Sequence, residues 1–560
     1  MKTPREKFLR ALSRLCFLLV LFFAVTARAQ SADAQLLTLE GKVEVAAKDT
    51  SAWQLGSTNQ TLHVGDRLRT GLRARATVRL SNLTTLRVNE LTTLQIQPPS
   101  ANSKQAGLDL KNGSTYFLSR ERGNETEFRT PLASGAIRGT EFHLAVADDG
   151  RSEVTLIDGA VTLANEHGTV DMTSGEQGVV ENGQAPRKSP FIEAINIIQW
   201  TLYYPGVIDV DELQFLDGEK TALAESLAAY RAGDLSAARE KFPVGSSSLS
   251  EASAIYQAAL DLSVGQTATA LALPPSPQAD ALREVIAAVK NQSAGIEQPT
   301  TAAQWLAKSY CLQSQFKLTE ALAAARNAAT QSPNFGFAWA RLAELEFSFG
   351  HTATALAALE KSLQLSPRNT QAVALKGFLL AAQNKISAAQ NQFDTAITLD
   401  PALATAWLGR GLCRIKRGDA EGGRADLQVA ATLEPHRAVL RSYLGKAFAN
   451  AGDEPRAAKE LQLAQKFDPN DPTAWLYSAL LAQQGNKIND AVTDLEKSQD
   501  LNDNRKIFRS RLLLDQDRAV RSANLAGVYR DAGMTDASVR EASRAVNADY
   551  GNFSAHQFLA

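Results

Sequence analysis

Apolar residues recur at every second position through the first third of the chain and on a helical period through the rest. Gly41-Lys42-Val43-Glu44-Val45, Ala76-Thr77-Val78-Arg79-Leu80, Thr84-Thr85-Leu86-Arg87-Val88 and Glu153-Val154-Thr155-Leu156-Ile157 each put apolar side chains on one face of an extended segment, the signature of half-buried strands. Turn signals punctuate them at Val64-Gly65-Asp66, Lys111-Asn112-Gly113, Asp149-Gly150, Asp158-Gly159, His167-Gly168 and Asn182-Gly183. Residues 36–186 therefore predict an all-β unit, a sandwich or a short β-solenoid. Lys188-Ser189-Pro190 breaks the alternation, and Ile195 to Tyr204 has the apolar density of a short helix closed by Pro205-Gly206. The crowded Trp200, Tyr203 and Tyr204 of this 187–217 linker suit either a ligand platform or a wedge packing the β unit onto the helices that follow.

The helical part carries an internal repeat. Pro333, Pro367, Pro401, Pro435 and Pro469 stand 34 residues apart. Trp305, Trp339, Trp407 and Trp475 keep the same register, as do Gly377, Gly411 and Gly445. Gly350, Gly418 and Gly452, with Asn384 and Asn486, fall between the two helices of each unit, where a left-handed residue ends a helix. Proline closes the second helix because it lacks an N–H. This pattern resembles the tetratricopeptide repeat: six units over 301–505 (302–335, 336–369, 370–403, 404–437, 438–471 and 472–505), an insertion at 506–518, a seventh unit at 519–552, and the opening of a further helix at 553–560. Residues 218–300 read as degenerate helical repeats interrupted by Pro274-Pro275-Ser276-Pro277.

The β unit resembles a second family. Leu62-His63-Val64-Gly65-Asp66-Arg67-Leu68-Arg69-Thr70, Phe128-Arg129-Thr130-Pro131, Ile137-Arg138-Gly139-Thr140-Glu141-Phe142 and Asp158-Gly159-Ala160-Val161 are similar to elements of the FecR-type domain. That resemblance implies a periplasmic β domain. Members acting on sigma factors carry a cytoplasmic segment and a membrane helix ahead of it; here a secretory leader stands instead. In Arg138-Gly139-Thr140-Glu141-Phe142 the glycine permits a close backbone approach. Thr140 and Glu141 can bond neighbouring backbone, and Phe142 is a core anchor. Arg138 and Glu141 holding a ligand is the alternative.

The leader is read from Lys2, Arg5, Lys7, Arg10 and Arg14, the apolar run Leu15 to Val25, and Ala27-Arg28-Ala29. These are the basic, apolar and small-residue regions of a cleaved signal peptide over 1–29, the alternative being a retained anchor. The expected location is exported and periplasmic. The stretch after Arg509 also resembles large exported repeat proteins in which an outer-membrane barrel follows the solenoid, so membrane contact is expected only through a partner or such a barrel. Apolar residues make up 44%, charged residues 21%, and net charge is −1, leaving no basic footprint for nucleic acid. Cys311 and Cys413 share one register position three repeats apart, too far for a disulfide, and read as small buried hydrophobes.

No histidine has a ligand-spaced partner, and no nucleophile elbow, phosphate loop or dinucleotide fingerprint occurs. Neither a catalytic residue, a cofactor site nor a metal site is expected. Asp209-Val210-Asp211-Glu212 and Asp468-Pro469-Asn470-Asp471 read as solvated turns. The expected function is a non-catalytic protein–protein interaction scaffold. In the tetratricopeptide family the first helix of each repeat lines the concave side through its second, fifth, ninth and twelfth residues. Here those include Ala340, Phe347, Ala374, Phe378, Leu408, Leu412, Ile415, Leu476 and Leu480. Phe347, Phe378, Leu408, Leu412, Ile415, Leu476 and Leu480 are the candidate partner-binding groove, suited to a peptide or amphipathic helix. The alternative is that a helix, the β domain or tight curvature covers it. Ligand sensing by the FecR-type domain, and a role as the periplasmic part of an outer-membrane transport protein, are the other functional expectations.

Overall fold

The computed structural model describes residues 34–559 except 100–105, 122–125, 138, 191–198, 244–249, 291, 293–294 and 502–513. The expected signal peptide, and Arg138, lie outside the described residues.

Strands run from Ala34–Glu40 to Arg187–Pro190 and form two sheets that share one long strand, Gly107–Ser119. In one sheet that strand lies between Thr84–Val88 and Glu141–Val146, antiparallel to both. In the other it lies between Thr93–Gln97, antiparallel, and Thr126–Arg129, parallel. It passes between sheets at Asn112-Gly113, where Gly113 has φ +87° and an added Cβ would lie 2.3 Å from the Thr92 hydroxyl, so only glycine fits. The alternating apolar positions of both sheets meet in one core that includes Leu36, Leu68, Val78, Leu86, Leu94, Leu108 and Leu144. Phe142 stacks on Phe117 at 4.7 Å and leans on Phe128 at 5.3 Å. The Gly65-Asp66…Thr70 element is structural. Asp66 accepts from the Lys48 and His63 backbone N–H groups at 3.0 and 2.9 Å, and the Thr70 hydroxyl accepts from Thr92 N at 3.0 Å.

The repeats are helix pairs, from Ala302–Ser314 with Leu318–Gln331 to Pro472–Gln484 with Ile488–Asp500; we call the two helices of each repeat A and B. The 34-residue spacing of proline and tryptophan has a direct cause. The indole N–H of Trp339, Trp407 and Trp475 donates to the carbonyl of Pro333, Pro401 and Pro469, each at 2.9 Å. A carbonyl left unpaired where helix B ends is thereby satisfied. Asn384 and Asn486 take φ of 59° and 56° at the A–B turn, the left-handed conformation that asparagine tolerates after glycine. Cys311 and Cys413 are buried. Of the expected insertion, 506–513 lies outside the described residues, while 514–518 belongs to helix Leu514–Asp531, which runs on into the seventh repeat.

Before the repeats, the described residues of 217–289 form six helices, ending with Pro277–Val289. Ser276 caps that last helix by accepting from Ala279 N, and Pro277 opens it, where a missing N–H is harmless. The expected helix at 195–204 is corrected: 195–198 is not described, Gln199–Thr201 makes one turn of 3-10 helix, and the chain then runs without regular structure to Asp209. Pro205 and the polar partners named below hold it extended.

This extended strap lies across the repeats in the reverse of chain order. Trp200 rests on the β domain, its carbonyl accepting from Arg75 Nη1 at 2.7 Å and its ring 6.2 Å from His143. Tyr203 packs with Val373, Ala374, Leu403 and Ala406. Gly206 abuts Phe337, leaving no room for a Cβ. Asp209 accepts from the Ser332 hydroxyl, and Glu212 accepts from Ala302 N at 2.6 Å, capping the first A helix. Asp209 is 4% exposed, while Asp211 is exposed and pairs with Arg231 at 2.7 Å, so the 209–212 turn is solvated only in part. The Asp209 and Glu212 carboxylates serve as caps. The wedge expected of the aromatic cluster is thus realised along the whole strap.

The β domain seats its polar sheet face on the B helices Ala420–Leu433 and Glu454–Phe467. Asn82 donates to Glu421 at 2.8 Å, Arg456 donates to the Arg120 carbonyl at 2.6 Å, and Lys459 pairs with Asp158 at 2.7 Å. Leu37, Tyr116, Leu118 and Ile157 of the β domain share an apolar cluster with Val429, Leu433, Leu440 and Leu444 of the repeats.

Candidate functional site

The A helices of the early repeats, the strap and helix Pro277–Val289 enclose a cavity of about 210 Å³. Its wall includes Gln371, Thr405 and Val439, Ala340, Tyr310 and Glu344, and Gln313. These are second, fifth, ninth and twelfth A-helix residues of their repeats, so the register rule finds this face. Leu202, Tyr203 and Pro205 of the strap form the facing wall.

The cavity is electrically balanced. Arg341 Nη1 holds Glu344 at 2.8 Å, while its Nε and Nη2 donate to the Ser309 hydroxyl and carbonyl at 2.9 and 3.0 Å. The Arg341 guanidinium also lies 4.0 Å from the Tyr310 ring centre, a cation–π contact. Arg437 holds Glu434 at 3.1 Å. Burial pushes the Tyr203 and Tyr310 hydroxyls far above their ordinary range, so both stay protonated donors. Burial lowers His436 to about 4, so its ring is neutral at pH 7, and it packs on Phe467 at 4.5 Å. Two phenol rings, aliphatic Val289, Leu375 and Leu403, and the amides of Gln313 and Gln371 suit an uncharged, partly apolar group with main-chain amides.

None of the seven groove residues singled out by apolarity lines this cavity. Leu408 is fully buried, and Phe378, Leu412 and Ile415 pack against the cluster shared by repeats and β domain. Phe378 also meets Phe393 edge-on at 4.9 Å. Phe347 packs on the core of the early repeats. Leu476 and Leu480 pack with Leu525 and Val528 of the seventh repeat. The polar members of the same rows face the opening. Tyr310, Gln313 and Gln371 are polar, so a ranking by apolarity passes over them although their register carries the signal; Tyr203 belongs to the aromatic cluster singled out in the linker.

In the Arg138–Phe142 element, Gly139 has φ +60° and its carbonyl accepts from Lys459 Nζ at 3.3 Å. Phe142 is fully buried in the β-domain core. Among the described residues, the partners found for the Glu141 carboxylate are side chains. It is fully buried and accepts from the Tyr116 hydroxyl at 2.9 Å, from Arg441 at 2.6 Å and from Arg120. Burial would raise its pKa, but Arg441 and Arg120 outweigh that and hold it at about 2. Among the described residues, no group of three or more His, Cys, Asp or Glu side chains is placed to hold a metal ion. Nor is any helix there long and apolar enough to cross a membrane.

With this geometry, the chain is a FecR-type β domain set on a tetratricopeptide array. Residues 66–162 match the FecR protein family. The chain is similar to the mouse protein O-mannosyl-transferase TMTC1, 35% identical over 100 residues, 17% of this chain and 11% of that protein. It is similar as well to the tetratricopeptide repeat-containing protein trd-1 of Caenorhabditis elegans, 25% identical over 143 residues, 25% of this chain and 18% of that one. The chain thus spans less than a fifth of the length of these curated relatives. Among solved structures, the chain is similar to a chain of the Cut9–Hcn1 hetero-tetramer of the APC/C, with TM-score 0.45 and 15% identity, covering 60% of this chain and 68% of that one. FecR and tetratricopeptide folds are non-catalytic in type, and repeat arrays of this kind present surfaces to other proteins.

Proposed function

We propose that this protein is an exported, non-catalytic scaffold of the cell envelope, free in the periplasm or beneath an outer-membrane barrel. It holds a partner protein through the A-helix face of repeats 302–437. The observation that supports this is the charge-balanced cavity walled by Tyr203 of the strap and by Tyr310, Gln313 and Gln371 of the repeats. An apolar or aromatic side chain of a partner segment fills the opening while amide side chains bind its main chain. A second reading, a signalling component, is favoured by the strap. Only Thr201 and Leu202 separate Trp200, seated on the β domain, from Tyr203 in the cavity wall.

The test is a photo-crosslinking residue at Gln313 or, as control, at the exposed B-helix position Glu360, followed by capture from envelope fractions. Crosslinks from Gln313 and not from Glu360, abolished by the cavity-filling Gln371→Trp at unchanged melting temperature, support the proposal. Equal capture at both positions, or capture indifferent to Gln371→Trp, overturns it.

A further inference from the structure

The fourth residue of the repeats is tryptophan at Trp305, Trp339, Trp407 and Trp475, and arginine at Arg441. Arg441 makes the same turn bond as the tryptophans. Its Nε donates to the Pro435 carbonyl at 2.9 Å, the distance seen for the indole N–H groups. An indole has one N–H, whereas a guanidinium has five donors. Arg441 therefore keeps the turn bond and has donors left over. Nη2 reaches Glu141 of the β domain at 2.6 Å, and Nη1 reaches Glu460 at 3.1 Å. Arg120 of the β domain donates to the other oxygen of each acid. Two arginines and two glutamates from both folds form a closed ring, none with a side chain more than 1% exposed.

A buried ring of this kind is tolerable only when complete, because removing one member strands a charge away from water. The neighbouring repeat shows the same adaptation. Its B-helix positions Gln428 and Thr432 are 1% and 0% exposed. The equivalent Arg326, Glu360, Gln462 and Glu496, and Thr330, Gln364, Thr398, Lys466 and Asp500, are exposed or half-buried.

We propose that repeats 404–471 are specialised as the seat of this chain's own FecR-type domain. Arg441 and Glu141 select that seat, so the two folds behave as one body. The part of the B-helix face beneath the β domain, at Gln428, Thr432 and Glu460, is then closed to outside partners, whether or not the A-helix cavity takes one. The test uses the full chain and segment-resolved amide exchange. Arg441→Trp restores the repeat's usual residue and its turn bond while removing the seat. Glu141→Gln keeps side-chain shape and removes the charge. Arg441→Trp is expected to speed exchange about tenfold or more in strands Gly107–Ser119 and Glu141–Val146. Glu141→Gln is expected to do likewise in helices Ala420–Leu433 and Glu454–Phe467. Changes confined to the fold that carries the substitution overturn the proposal. If Arg441→Trp fails to fold, Glu141→Gln decides alone.

Discussion

The two sheets of the β domain are written in the same alternating code and meet different surroundings. In Thr93–Gln97 the apolar Leu94 and Ile96 are buried and the intervening Thr93, Gln95 and Gln97 are partly open to water. In Thr84–Val88 every residue is buried, Thr85 and Arg87 included. Glu141 and His143 share that fate on the neighbouring strand. Alternation reports which face makes the core; it is silent on whether the polar face meets solvent or a second fold. On the covered face an unpaired buried polar group is costly, and a partner offsets that cost. The Arg87 guanidinium accordingly holds Glu40, and Arg75 holds Glu40 through Nε at 2.8 Å.

The sharpest break in this comparison is Glu141→Ala, which leaves Arg120 and Arg441 without a common acid. The expected loss is about 3–5 kcal/mol of stability, read by chemical denaturation. Phe142→Ala, one residue along and facing the core, should cost a similar amount, about 3–5 kcal/mol, by cavity formation. A stable Glu141→Ala variant beside an unstable Phe142→Ala one would mean that only the core face matters.

Lysine can be placed at one register position in two repeats. Thr432→Lys drives a charge under the β domain and should cost more than about 2 kcal/mol. Thr398→Lys, at the more open equivalent, should change stability by less than about 0.5 kcal/mol. Equal effects would contradict the seat.

Acid titration separates His143 from Glu141 on the same strand. Burial lowers His143 from 6.5 to about 4. The unfolded chain therefore takes its proton near pH 6.5 while the folded chain resists until about 4, and stability falls across that window. From pH 7 to 5 this ring is expected to contribute a loss of about 2 kcal/mol, so the total loss is smaller by that amount in His143→Phe, where His436, lowered likewise, keeps its own share. Glu141, held at about 2, keeps its contribution until the pH falls below about 4.5, the unfolded value, and loses it towards 2. A pH 7 to 5 slope undiminished in His143→Phe would show that this ring is not the buried neutral group. The smallest effect is expected on the open face, where Gln95→Ala should stay within about 0.5 kcal/mol.

Much of the fold is legible in the chain. Alternation locates the strands, and proline with tryptophan fixes the repeats because each pair closes one turn with one hydrogen bond. The strap is not legible: Tyr203, Tyr204, Val207 and Ile208 are dense in apolar residues, as a helix would be, and their extended path is set by partners far along the chain such as Ser332 and Ala302. The cavity is half legible, since register points to Tyr310 and Gln371, but its other wall belongs to that strap. The seat left one trace in sequence, Arg441 where tryptophan stands in four other repeats. Its meaning depends on Glu141, 300 residues away.

Native-state amide exchange of the unmodified chain, followed as denaturant rises towards unfolding, tests the central claim most directly. If the covered sheet face and its seat are one body, core amides of Leu86, Phe117 and Leu144 and of Leu427, Leu440 and Leu461 converge on a single opening free energy with a common denaturant slope. Two separate isotherms, with the β domain opening while Leu427 and Leu440 stay protected, would contradict it.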